Sequence, residues 1–130
     1  MTYRSGWWSV VLPPGWLGYA DAACSTFQAQ PPVGALQISA ARKESEGITD
    51  GDLREFAEGR VSTTTPLQYC AFGAFLGVTA QYRKDGLFWQ EWWLRSGQLM
   101  VYVTYNVSQE HAAAEQGSIS IILSSLVPLG

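Results

Sequence analysis

One histidine, two cysteines and a scatter of acids are all this sequence offers for conventional catalysis. A Ser–His–acid or Cys–His site would have to use His111, with a serine or one of Cys24 and Cys70 brought to it by folding. His111 falls in the first turn of an expected helix, a poor place for a cation, and reads as a partly exposed surface residue. A zinc site would need His111, both cysteines and a carboxylate to converge, with no local pair to seed it. Cys24 and Cys70 lie far apart and outside any CxxC pattern. They read as two reduced, buried thiols rather than a disulfide or a metal cage. No metal and no cofactor is expected.

The acids are equally sparing. Glu44, Glu46, Asp50 and Asp52 cluster ahead of a helix, but their spacing lacks the glycine and the terminal bidentate glutamate of an EF-hand. A solvated loop that favours the helix N-terminus is the plainer reading. Glycoside cleavage needs two carboxyl groups across one bond, and only Glu91 sits among aromatic residues. No glycine-rich stretch spells a phosphate loop. The chain is therefore expected not to be an enzyme.

Glu91 lies in "DGLFWQEWWLRSG", Asp85 to Gly97, which packs three tryptophans and a phenylalanine between two turn signals. A half-buried strand should alternate apolar and polar residues, and this one is apolar on both sides. Asp85-Gly86 is a strong two-residue hairpin signal. It sets Lys84 opposite Leu87, Tyr82 opposite Trp89, Ala80 opposite Glu91 and Val78 opposite Trp93. With Ser96-Gly97 as the next loop, Trp93 faces Met100, Glu91 faces Tyr102 and Trp92 faces Val101. One side of the meander then holds Trp92, Leu94, Leu99, Val101, Val103, Tyr105 and Val107, an ordinary core face. The other holds Tyr82, Trp89, Trp93, Met100 and Tyr102, interrupted by Glu91, Thr104 and Asn106.

The elements around the meander are simpler. "WWSVVL" (Trp7 to Leu12) is β-rich and ends at Pro13-Pro14-Gly15. "CSTFQA" (Cys24 to Ala29) and "GALQISAAR" (Gly34 to Arg42) are weaker strands, joined by a rigid loop through Gln30-Pro31-Pro32. Thr49 caps a short helix, with Asp52 at its third position and Ile48 and Leu53 as a hydrophobic staple. Leu53, Phe56, Ala57 and Arg60 follow helical spacing, and Gly59 with Ser-Thr-Thr-Thr-Pro stops it. A second helix is capped by Ser108, weakened by Gly117, buried through Ile119, Ile122, Leu123 and Leu126, and ended by Pro128. This is an α+β chain: an antiparallel meander with a short middle helix and a C-terminal helix packed on it.

Composition sets the outer bounds. The 130 residues suit one domain, 1–130, and 47% hydrophobic content favours a folded globule. A net charge of -3 with scattered Lys and Arg argues against nucleic acid as a partner; the pairs Arg42-Lys43 and Arg83-Lys84 are not patches. The apolar run before Pro13 is short for a signal peptide, and no stretch is long enough to cross a membrane. A cytoplasmic location is expected, with no membrane contact.

"WWSVVLPPGW", "GITDGDLREFAEGR", the Trp/Tyr-rich meander and "ISIILSSL" together resemble the PsbP/Mog-like fold, from about Trp7 to Leu126. That resemblance implies a small α/β/α sandwich that binds other proteins; its members include a photosystem accessory subunit, a partner of a small GTPase and bacterial chaperones of secreted effectors. No family site carries over residue by residue, because the matching Leu12, Pro13, Gly15 and Trp16 are strand-end positions. The expected function is a non-enzymatic protein-binding module: an adaptor, a secreted-effector chaperone or an immunity-type protein. Its partner-binding residues would be Tyr82, Trp89, Glu91, Trp93, Met100 and Tyr102. A homodimer through the same face is a further arrangement. The alternative is a small-ligand or carbohydrate-binding domain, or a weak hydrolase, using the same rings with Glu91. The competing reading of those rings is that the first helix covers them and they are core.

Overall fold

The computed structural model describes residues 1–129. In chain order the elements are β1 (Thr2–Arg4), β2 (Trp8–Val11), β3 (Trp16–Ala20), β4 (Ser25–Ala29), β5 (Ala35–Arg42) and α1 (Asp50–Glu58). There follow β6 (Gln68–Phe72), β7 (Phe75–Lys84), β8 (Leu87–Ser96), β9 (Leu99–Ser108), a 3-10 turn at Gln109–His111, α2 (Gln116–Ser124) and β10 (Val127–Pro128). Seven strands form one antiparallel sheet in the order β3-β4-β5-β9-β8-β7-β6. The other three form a small sheet, β1-β2-β10. Helix α1 packs on one face of the large sheet; α2 and the small sheet close the other.

The meander follows from its turns. Asp85 and Gly86 both take positive φ, 53° and 79°, the combination a type I′ hairpin turn requires. The β7–β8 register is the one the spacing predicts, with Tyr82 opposite Trp89 and Val78 opposite Trp93. The β8–β9 loop falls one residue later than expected. Gly97 supplies its positive φ, 59°, at the first loop position, and Gln98 is the second. Trp93 therefore faces Tyr102, not Met100, and Glu91 faces Thr104, not Tyr102. The pairing slips by two residues, and an even slip leaves every side chain on its own face.

Helix α1 starts as its sequence dictates. Thr49 Oγ1 accepts from Asp52 N at 3.1 Å, and Asp52 Oδ2 accepts from Thr49 N at 2.9 Å, a complete capping box. The C-terminal helix begins later than expected. Ser108 ends β9, paired with Leu87, and α2 starts only at Gln116. Glu115 fixes that start: it turns inward and accepts from Gly34 N at 2.9 Å and Tyr105 OH at 2.8 Å. Its other end seats Ile119, Ile122 and Leu123 in a core with Trp8, Phe27, Ile38, Trp92 and Val103.

Candidate functional site

Strand alternation gathers the expected aromatic face on the α1 side of the sheet: Tyr82 from β7, Trp89, Glu91 and Trp93 from β8, Met100 and Tyr102 from β9. The residues share a face, but their exposure differs sharply. Helix α1 sets Leu53 and Ala57 against Val78, Ala80, Trp93 and Met100, leaving Trp93 only 1% exposed and Met100 buried. The expectation that Trp93 and Met100 reach the surface is not met, because the capped helix docks directly over them. Tyr82, Trp89 and Tyr102 stay half-buried at the margin. Tyr82 stacks on Trp89 with ring centroids 6.1 Å apart, and Tyr102 stacks on Trp93 at 5.8 Å.

Glu91 sits among them with 0% of its surface exposed. Tyr82 OH donates to its Oε2 and Tyr102 OH to its Oε1. Arg60 Nε donates to the same Oε1 at 3.3 Å and to Tyr102 OH at 2.8 Å. A lone carboxylate at this depth would cost several kcal/mol; one cation and two phenol donors offset that. Burial, followed by the bond to Glu91, pushes both phenols above the ordinary tyrosine range. Burial works against the charge on Arg60, yet Glu91 and Tyr102 hold its pKa above the ordinary value. The guanidinium also lies 5.8 Å from the Tyr102 ring centroid.

Arg60 is the residue that sequence reasoning left out of the site. Its signal was present: Arg60 continues the helical spacing of Leu53 and Ala57, the two residues of α1 buried against the sheet. The chain tightens after α1, with Arg60 N donating to Ala57 O at 2.9 Å, and that turn carries the guanidinium over Glu91. With both oxygens of Glu91 engaged, its chemistry is to anchor. None of its surface is exposed, which closes it off from a ligand in either neighbouring hollow. Arg60 is half-exposed and lines two hollows, one of about 390 Å³ towards the β7–β8 hairpin and an apolar one of about 200 Å³ beside Phe56 and Met100.

The remaining candidates fall apart. His111 lies in an exposed 3-10 turn, 3.9 Å from Glu110. Cys24 and Cys70 are half-buried free thiols. Cys24 precedes β4 and Cys70 lies in β6, with four strands between, on the order of 20 Å and too far to bridge. The acidic cluster is spent on pairs: Asp52 with Lys43 at 2.8 Å, Asp50 with Arg95 at 2.8 Å. Among the described residues no three His, Cys, Asp or Glu side chains converge as metal ligands. No helix is long and apolar enough to cross a membrane.

Helix α1 covers only the β7–β8 side of its face. By register, the floor beyond it carries Leu17 and Tyr19 from β3, Gln28 from β4, Gln37 and Ser39 from β5, and Thr104 and Asn106 from β9. Tyr19 is 56% exposed, and Phe56 overhangs this floor from α1 at 55%.

This arrangement is the PsbP-like fold. Several solved structures share it. A crystal structure from Bacteroides thetaiotaomicron VPI-5482 superposes with a TM-score of 0.69 at 15% identity, over 95% of this chain and 46% of that one. The solution structure of the cyanobacterial PsbP (CyanoP) of Synechocystis sp. PCC 6803 gives a TM-score of 0.51 at 10% identity, over 99% of this chain and 92% of that one. The chain thus spans a little under half the length of the Bacteroides protein. No family model matches the sequence, and no curated relative is similar to it.

Proposed function

We propose that this chain is a non-enzymatic module that binds another protein through the half of the seven-stranded sheet that α1 leaves open. The observation that carries the reading is the rim of that surface. Tyr19 and Leu17 on β3 and Phe56 on α1 stand exposed around a floor of glutamine, serine, threonine and asparagine side chains. Rings with few rotors beside adaptable amides are the composition of protein-recognition surfaces. Tyr102 and Trp89 border the floor and stay half-exposed; Trp93 and Met100 lie beside it on the same face, covered by α1, and Glu91 is buried next to them.

The small-ligand alternative needs Glu91 within reach of the ligand, and the enclosure of Glu91 weighs against it. The test is binding with matched surface variants. A partner captured by the wild type should be lost with Tyr19→Ser plus Phe56→Ser. It should be retained with Ile121→Ser, an equally exposed change on α2 at the opposite side. Equal capture by all three proteins rejects the open face. Solution mass measured against concentration separates a second copy of this chain from a different partner.

A further inference from the structure

The residues around Arg60 define a second site, distinct from the open sheet face. Its guanidinium is held at one edge only: Nε donates to Glu91 and to Tyr102. Neither Nη group donates a hydrogen bond or completes an ion pair among the described residues. Glu91 beneath it is fixed by Tyr82 and Tyr102, so the cation cannot swing away without uncovering a buried carboxylate. The side chain is nevertheless 51% exposed. It opens on the cleft of about 390 Å³ lined also by Val61, Ser62, Thr65, Tyr82, Arg83 and Lys84. No Asp or Glu lines that cleft. Arg60, Arg83 and Lys84 are the cations that line it, and strand alternation sets Lys84 on the same side of β7 as Tyr82.

A guanidinium tethered by a buried acid, with its outer N–H groups unspent, is pre-organised to accept two oxygens of one anion. Thr65 on the facing loop also lines the cleft, while Ser62 Oγ is held in its own turn by Thr64 Oγ1 at 2.8 Å and Thr64 N at 3.1 Å. We infer that the cleft between the loop after α1 and the β7–β8 hairpin binds an oxyanion, a carboxylate or a phosphate group, with Arg60 as its principal ligand. This holds in a chain of net negative charge, so the selectivity comes from local geometry and not from an overall field.

The test is titration of the whole protein with inorganic phosphate and, separately, with acetate, followed by NMR at the Arg60 Nε–H and the amides of Ser62, Thr65 and Lys84. Saturable shifts confined to these groups are expected, and whichever anion binds more tightly names the source of the oxyanion. Arg60→Lys, which keeps the charge but loses the fork, should weaken binding by about tenfold or more. Lys84→Gln, exposed and remote from Glu91, should weaken it about two- to threefold. Shifts that never saturate, or that spread over every lysine and arginine, overturn the assignment. So does unchanged affinity in Arg60→Lys. Should Arg60→Lys fail to fold, unchanged affinity in Lys84→Gln overturns it instead.

Discussion

The two faces of the seven-stranded sheet are written by the same strands, one residue out of step, and they solve burial differently. Towards α2, alternate residues such as Trp92, Leu94, Val101 and Val103 form a broad apolar core. The carboxylate on that side, Glu115, comes from outside the sheet and ties down its margin. Towards α1 the apolar cluster is small, and the sheet itself places Glu91 at its centre. An apolar core tolerates many side chains of suitable volume. A buried carboxylate admits only the partners that satisfy it, which fixes Tyr82, Tyr102 and Arg60 in one arrangement. The first face supplies most of the burial; the second supplies orientation.

Mutations that break this contrast rank by depth. Trp93→Ala, under α1, should destabilise the protein by about 3–5 kcal/mol in denaturant titration; a loss near zero would mean α1 does not cover it. Arg60→Ala strips the buried carboxylate of its only cation and should cost about 3 kcal/mol. Replacing Arg60 and Glu91 by leucine together with Tyr82→Phe and Tyr102→Phe, which removes the two donors to Glu91, makes this face resemble the other, and stability should return to within about 1 kcal/mol of the parent.

High pH probes both faces at once. Burial raises the phenol pKa values of Tyr82 and Tyr102 on one side and of Tyr105 on the other. The folded protein therefore keeps these protons when the unfolded chain, with ordinary tyrosines near pH 10, releases them. Stability should be flat on this account below about pH 10 and fall as the pH rises beyond it, read as a declining denaturation midpoint. Tyr105→Phe should reduce that slope, as should Tyr82→Phe.

Smaller effects sharpen the picture. Thr49→Ala, which removes the cap of α1, should cost about 1 kcal/mol and leave α2 untouched in hydrogen exchange. Cys70, whose thiol is pushed up to about 11 by burial, should alkylate slowly at pH 8, where roughly one thiol in a thousand is ionised, and speed up about tenfold per pH unit. Rapid labelling at pH 8 would contradict its placement in β6.

Local chemistry made much of this fold legible. Asp85-Gly86 fixed a hairpin and Thr49 with Asp52 fixed a helix start, because each signal is complete within a few residues. Sorting the meander into two faces survived a misplaced loop, since the pairing slipped by two and not by one. Edge strands were harder. Strands β3 and β6, short and partly exposed, lack the alternation that marks a half-buried strand. The start of α2 was hidden because Glu115 answers to Gly34 and Tyr105, both distant in sequence. The site was half legible for the same reason. Periodicity told which rings share a face with Glu91, but not that α1 seals Trp93 or that Arg60 arrives from 31 residues away.

The small sheet holds β2 between β1, which precedes it, and β10, at the far end of the chain. Ser125 Oγ accepts from Val11 N at 2.7 Å, across 114 residues. A nascent polypeptide can pair its meander early, but this seam cannot be stitched until the last strand emerges. Closure of the α2 side should therefore follow pairing of the meander. Trimming β10 should leave Trp8 and Val10 poorly sheltered while the large sheet remains paired.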